Sequence, residues 1–360
     1  MKILFTILLI LHGLIHSMGF VKAFNLGKID QLSQEIPRFH GALWLLATLL
    51  FVITTALFLL NFDKWWLTGL FAVAVSQTLI FIYWQDARFG TIANGIIFLV
   101  VFFSWSSFNF ESNFRNDIVK NLARSANLTE EILTEANLQH LPEVVQRYIR
   151  YSGALNKPKV NNMKIVFEGE MRSKGKDYFP FVSEQYNFFD EPTRLFFMKG
   201  RMFGVQVPGY HRYSNAKATM DIRLFGMFPV IKKSGDVMDK TETVTLFNDM
   251  CLMAPATLIN KNIHWQILDP KSVVAQFTNQ GITITAVLYF NDQGQLVDFV
   301  SNDRTDISEM KQFPFYTPAS DYQEFDGRMV PATGEAIWEY PDGKFTYGKF
   351  RLKEIEYNIR

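Results

Sequence analysis

Charge is spread unevenly along this chain, and that constrains its fold more than any motif does. Of 36 basic and 35 acidic side chains in 360 residues, only ten lie in residues 1–110. The same stretch carries apolar runs at about 3–21, 40–61, 65–84 and 91–109, each close to the roughly 20 residues a helix needs to cross about 30 Å of hydrocarbon. The lipid bilayer is therefore the first expected partner. Domain boundaries follow: a four-helix transmembrane domain over 1–110, a helical connector over 111–158 and a β-rich domain over 159–360. The fold class expected is membrane α plus soluble α+β, a four-helix transmembrane bundle followed by a curved antiparallel sheet wrapped around a helix. The first run, with Lys2 ahead of it, has the look of a secretory leader. It continues for about 19 residues without an A-x-A-like site and precedes three more runs, so a retained helix is expected.

A few residues around Asn61–Lys64 join the second and third runs, with Trp65 and Trp66 at the interface that amphipathic rings prefer. That pair reads as an antiparallel hairpin. Lys22, Lys28, Arg38 and Arg88 fall on one side of the bundle, Lys2 and Lys64 on the other. The positive-inside rule then puts the first loop in the cytoplasm and both the N-terminus and the large domain outside it.

Within the first run, LHGLIHSMGF at Leu11–Phe20 carries two histidines where lipid favours none. Because His12 and His16 are four residues apart, a helix puts both imidazoles on one face, with Gly13 and Ser17 beside them as a small-residue contact stripe. His40 opens the second run, Gln85 and Asp86 close the third, and Asn94 sits early in the fourth, all on one leaflet of an up-and-down bundle. His12, His16, His40 and Asp86 are accordingly the candidate metal ligands, since a small divalent ion such as zinc accepts imidazoles from i and i+4 but needs further donors. The alternative is hydrogen bonding across helices and a solvated rim. A haem held by His12 and His16 alone is not expected, because one helix face cannot reach both sides of the ring.

Other chemistry is thinly marked. A net charge of +1 and the lack of Lys/Arg runs give no reason to expect nucleic acid as a partner. The single cysteine, Cys251, rules out an intrachain disulfide and paired-cysteine metal motifs. It sits in DMCLMAP, a setting for a buried structural thiol, with pairing to His211 or His264 as the nucleophile alternative. No P-loop, G-x-S-x-G, H-E-x-x-H or dinucleotide fingerprint occurs, so no catalytic residue or cofactor is assigned. Glu168, Glu170, Arg172, Asp303 and Arg304 read as strand-surface ion pairs. Asn127-Leu-Thr129 has the form of a glycosylation sequon, and Asn127 with Glu130 that of a capping box.

Leu141-Pro142 marks the first turn of a short helix and Gly153 its stop. From about Val160 the pattern changes to short aromatic and β-branched segments, twelve of them between 160 and 358, with Asn291-Asp292-Gln293-Gly294 and Pro341-Asp342-Gly343 as the clearest turns. A helical stretch at about 237–260, broken at Pro255, interrupts them. A long antiparallel sheet exposes an apolar face, and curling around that helix would bury it. Thirty-five phenylalanines, among them Phe179, Phe181, Phe188, Phe189, Phe196, Phe197 and Phe203, fill such a core or line a cavity for a lipid-like ligand.

LHGLIHSMGFVKAF and WQDARFGTIANGII, with HGxxHxxGF and DxxFGTxxN spacings, resemble the membrane half of a bacterial family of unknown function in which four helices precede a C-terminal β-rich domain. LPEVVQRYIRYSGAL, EGEMR and GKFTYGKFRLKEIEYN continue the likeness over nearly the whole chain. It implies architecture and a bacterial cytoplasmic membrane, and no catalytic residue. Strands, then helix, then strands is also an order similar to the outer-membrane lipoprotein carriers, half-open barrels around a helical plug, which implies a lipid or lipoprotein-like ligand. The alternative is a membrane enzyme or cofactor carrier using His12, His16 and His40.

Overall fold

A computed structural model describes residues 2–126, 128–202 and 205–360; Asn127, with its capping box and sequon, and Phe203 lie outside them. The chain divides into two compact units, Met1–Phe110 with Phe225–Met227, and Glu111–Leu224 with Phe228–Arg360.

Four helices in the first unit are long and apolar enough to cross a membrane: α1 (Lys2–Ala23), α2 (Arg38–Leu59), α3 (Trp65–Ile82) and, after the single turn α4 (Trp84–Ala87), the start of α5 (Gly90–Ser125). Their exposed faces are apolar, unlike those of a water-soluble bundle. Leu4, Leu11, Ile15, Phe71 and Ile92 are exposed while His12, His16, Ser76 and Asn94 are buried among Leu9, Phe51 and Leu79, the arrangement expected where apolar side chains face hydrocarbon and polar ones face the interior. Close approach of α1 to α2 depends on two glycines. A Cβ on Gly13 would lie 2.9 Å from Phe51, and one on Gly19 only 2.2 Å from the Trp44 ring. The Ser17 hydroxyl bonds back to the Leu14 carbonyl of its own helix at 2.6 Å.

Helix α5 runs 36 residues, well past the apolar run. Beyond the apolar run, the part within the second unit becomes amphipathic, as expected of a helix lying on a sheet. Phe114 stacks on Phe197 and meets Tyr210 edge-on, Arg115 grips Glu184 with two nitrogens at 2.6 Å each, and Asp117 accepts from Tyr210 and Arg212. A 3₁₀ turn, Glu135–Leu138, and α6 (Glu143–Tyr151) follow; Pro142 is the N-cap and Gly153, at φ +66°, the stop.

The sheet is antiparallel. Its strands are β1 (Asn162–Met171), β2 (Phe179–Phe188), β3 (Thr193–Met202), β4 (Val205–Ser214), β5 (Lys217–Leu224), β6 (Phe228–Ser234), β7 (Ile263–Asp269), β8 (Ser272–Asn279), β9 (Ile282–Phe290) and β10 (Leu296–Ser301). After a two-residue pair, β11 (Thr305–Asp306) and β12 (Lys311–Gln312), come β13 (Phe315–Tyr316), β14 (Ala319–Phe325), β15 (Arg328–Tyr340) and β16 (Gly343–Tyr357). Among the described residues the order is β6-β5-β4-β3-β2-β1-β16-β15-β13-β10-β9-β8-β7, with β14 beside β15. Two meanders are thus joined at the middle by the first and last strands, Met163 opposite Tyr357 and Ile165 opposite Ile355.

Helix α7 (Asp236–Met253) with the 3₁₀ turn Pro255–Ile259 occupies the stretch expected to be helical. It touches β4, β5 and β6 from one half of the order and β9, β10 and β15 from the other, so the sheet bends across it. A helix this enclosed has little exposed face. Met238, Val244, Phe247, Met250 and Cys251 pack into one core with Ile165, Phe196, Phe277 and Phe299.

Candidate functional site

Two buried polar groups stand out. The first is in the helical unit. His12 Nε2 lies 2.9 Å from Asn94 Oδ1 and 3.3 Å from Ser76 Oγ; Asn94 Nδ2 in turn donates to Ser76 at 2.9 Å and Gln77 at 3.0 Å, and Gln77 donates to Thr91. His16 Nδ1 bonds the His12 carbonyl at 2.8 Å. The two imidazoles meet edge-on, centroids 4.7 Å apart. His40 and Asp86 are elsewhere: His40 Nδ1 is 2.7 Å from Tyr83 Oη, and the Asp86 carboxylate accepts from Ser33 N–H, Ser33 Oγ and Gln34 N–H, bonds led by the Ser33 hydroxyl that hold its pKa below the ordinary range. Of the four residues read as metal ligands, His12 and His16 come together, and the hydrogen bonds of all four go to amide, hydroxyl or backbone groups. Among the described residues no three His, Cys, Asp or Glu side chains are grouped to hold a metal ion.

The second group lines a cavity of about 150 Å³ between α7 and the inner face of the sheet. Alternation along β2 and β3 turns Gln185 and Asn187, then Arg194 and Phe196, inward. Asn187 sits opposite Arg194, and Phe196 opposite His211 on β4. Helix α7 supplies Glu242 and Asp249, seven residues apart and so on one face. Asp249 Oδ2 accepts from Arg194 Nε at 2.7 Å, Gln185 at 2.7 Å and Asn187 at 3.0 Å. Arg194 reaches Glu242 at 3.3 Å and Gln185 Oε1 at 3.0 Å. Burial opposes the Arg194 charge, and the carboxylates of Asp249 and Glu242 outweigh it, raising its pKa. Burial pushes the His211 imidazole down to about 4, although Glu242, 4.0 Å away, works the other way.

Phe167, Met171, Phe196, Leu252, Met253 and Phe315 form the apolar wall. Three residues lining the same cavity each carry a buried polar atom without a hydrogen-bond partner: Asn248 Nδ2, Arg304 Nε and Thr317 Oγ1. Arg304 lies over the Phe315 ring at 4.0 Å and donates to Tyr347 Oη at 3.0 Å. Its expected partnership on the strand surface is not formed. Asp303 pairs with Lys240, Glu168 with Lys353 and Glu170 with Lys349, whereas Arg172 rests over Tyr178 and Phe345. Cys251 is fully buried, and burial raises its thiol pKa far above the usual value. His264 is exposed, so no thiol–imidazole pair is assembled.

Sequence reasoning passed over Gln185, Arg194, Glu242, Asn248 and Asp249. Two signals were available: charged or amide side chains at inward positions of aromatic strands, and two carboxylates seven apart on a helix enclosed by strands.

The molecule is thus a two-unit protein, a set of long apolar helices and an antiparallel sheet packed on a helix with a polar-floored cavity. Residues 131–350 match a family of unknown function, DUF6544, and the chain belongs to that family. Among solved structures it is similar to a LolA-superfamily protein from Nitrosomonas europaea, at 7% identity and TM-score 0.37, over 60% of this chain and 93% of that one. A β-barrel-like protein of a domain of unknown function, DUF1849, from Brucella abortus matches at 7% identity and TM-score 0.20, over 56% of this chain and 99% of the other. Comparison with curated proteins returned no match.

Proposed function

We propose that this is an integral protein of the bacterial cytoplasmic membrane whose β-rich unit, on the extracytoplasmic side, binds or passes on a lipid or lipoprotein-like hydrophobic ligand. The observation that carries this reading is the cavity beside α7, apolar and aromatic on its walls with unpartnered donors among them, the lining of sites that hold amphiphiles. At about 150 Å³ it is the size that accepts a benzene-sized group, and smaller than the roughly 300–1,000 Å³ of pockets that engulf whole ligands. One end of the ligand is seated here. Helices with apolar exposed faces supply the tether, and the membrane around them the source of ligand.

Organic extraction and mass spectrometry of protein purified in a mild neutral detergent test the reading. An amphiphile retained near one per chain is expected, and reduced when Phe196 is replaced by Asp; a preparation that neither retains nor rebinds any amphiphile sinks the idea. A topology reporter fused after Arg360 should be active outside the cytoplasm, and cytoplasmic activity alone overturns the orientation.

A further inference from the structure

We propose that the end of the ligand seated in the cavity is an anionic, acceptor-only headgroup, a carboxylate or phosphate, received by Arg304 with Asn248 and Thr317; this rests on the ligand-binding reading of the same cavity. The argument is one of unmet hydrogen bonding. Buried polar atoms are almost always paired, and leaving one unpaired costs about 1–3 kcal/mol. Here Asn248 Nδ2 and Arg304 Nε, both obligatory donors, and Thr317 Oγ1, a hydroxyl that can donate, are buried without partners on three residues that line one space. Asn248 is only 9% exposed. Unmet donors on residues that share a cavity call for a group that only accepts.

The local placement of charge separates the two guanidiniums. Arg194 is held between two carboxylates, Asp249 and Glu242, and Glu335, the third carboxylate of the lining, accepts from Thr346. Arg304 has no carboxylate within ion-pair distance among the described residues; its contacts are the Phe315 and Trp338 rings and the Tyr347 hydroxyl. Stacking leaves the edge of a guanidinium, where its N–H groups lie, free to grip two oxygens of one anion. The aromatic and methionine wall then takes the first methylenes behind the headgroup. An alcohol or ester headgroup would leave Arg304 without an anionic partner.

Binding of decanoate, decyl phosphate, decanol and inorganic phosphate to the full chain in one neutral detergent tests this, by native mass spectrometry titration. Both decyl anions are expected to bind at least about tenfold tighter than decanol, the least that a charged hydrogen bond contributes. Arg304→Gln should bring the anions down to the decanol level and leave decanol unchanged. Asn248→Asp, which puts a carboxylate among the donors, should weaken the anions and spare decanol. The two anions rank the sources: a tighter carboxylate points to a fatty acid or acidic peptide end, a tighter phosphate to a lipid phosphate. Equal binding of all three decyl probes overturns the headgroup assignment and leaves the ligand-binding reading intact. Inorganic phosphate binding as tightly as decyl phosphate overturns the amphiphile in favour of a free anion. Binding of none overturns both. Each variant's unfolding midpoint is measured alongside; should Arg304→Gln fail to fold, the Asn248→Asp arm decides.

Discussion

The helical unit and the β-rich unit both bury polar side chains, and they do so by different chemistry. In the helices the buried groups are neutral: an imidazole, two amides and hydroxyls, passed from His12 through Asn94, Ser76 and Gln77 to Thr91. In the sheet they carry formal charge, with Arg194 held between Asp249 and Glu242. Neutral groups can exchange one partner for another at small cost, whereas a buried charge that loses its partner must be desolvated uncompensated. The helical network should therefore tolerate substitution and the sheet network should not.

Arg194→Met tests the stronger half of that comparison. Removing the guanidinium strands two buried carboxylates, and a loss of about 3–5 kcal/mol is expected, read as a lowered denaturation midpoint of the full chain in neutral detergent. Adding Asp249→Leu and Glu242→Leu to it should recover most of the loss, since apolar replacement of a whole buried ion cluster is often neutral. A single variant as stable as the parent would show that Arg194 is not what holds α7 to β3.

Acid should pull on the sheet unit in two directions. His211, lowered to about 4 by burial, contributes stability present above its ordinary 6.5 and lost as pH falls toward 4. Asp298, raised to about 6 by burial, has the opposite sign: its contribution is present below about 4 and lost as pH rises through 6. The His211 shift corresponds to on the order of 3 kcal/mol, and the Asp298 shift to less than its size implies, because solvent screens a carboxyl that is part-exposed. The parent profile between pH 4 and 6.5 is expected to be shallow because the two oppose each other. His211→Gln should make the protein gain stability with acid and Asp298→Asn should make it lose stability; parallel slopes in the two variants would refute the assignment.

Gly19→Leu moves the comparison to the helices. Side-chain atoms there must displace the Trp44 ring, and overpacking of this kind costs about 1–3 kcal/mol. The loss should appear in the helical unit's transition and leave Arg304-dependent ligand binding unchanged.

How much of this was legible in the sequence follows the range of the interactions involved. The four apolar helices are set by composition over each run. Turns at Asn291 and Gly343 are local too, with Gly294 N–H on the Asn291 carbonyl and Gly343 at φ +120°. Helix α5 was read too short because its later turns are amphipathic rather than apolar, and a hydropathy reading stops where charge begins. Strand β6, Phe228–Ser234, was missed since every residue in it is exposed and no inward face shows in the pattern. The cavity was out of reach for a different reason: it is made by β1–β4, α7 and the β10–β16 region together, and nothing local sets Asp249 beside Arg194 or Arg304 over Trp338.

The smallest effect is expected at the residues that first draw the eye. His12 and His16 are among the most buried polar groups of the helical unit, yet their partners are an amide, a hydroxyl and a backbone carbonyl, all of which a glutamine can serve. Interhelical hydrogen bonds in membranes average only about 0.6 kcal/mol, so His12→Gln with His16→Gln should cost about 1 kcal/mol or less and leave folding and ligand binding unchanged. Leucine at the same two positions deprives Asn94 of its imidazole contact and crowds Phe51 and Trp44, whose rings lie within 6 Å of His16, so a larger loss is expected. Metal content measured on the parent and the glutamine variant closes the comparison. Substoichiometric metal in both is expected from imidazoles that share no third ligand; stoichiometric zinc in the parent that disappears in the variant would reinstate a metal centre and with it a functional role for the helical unit.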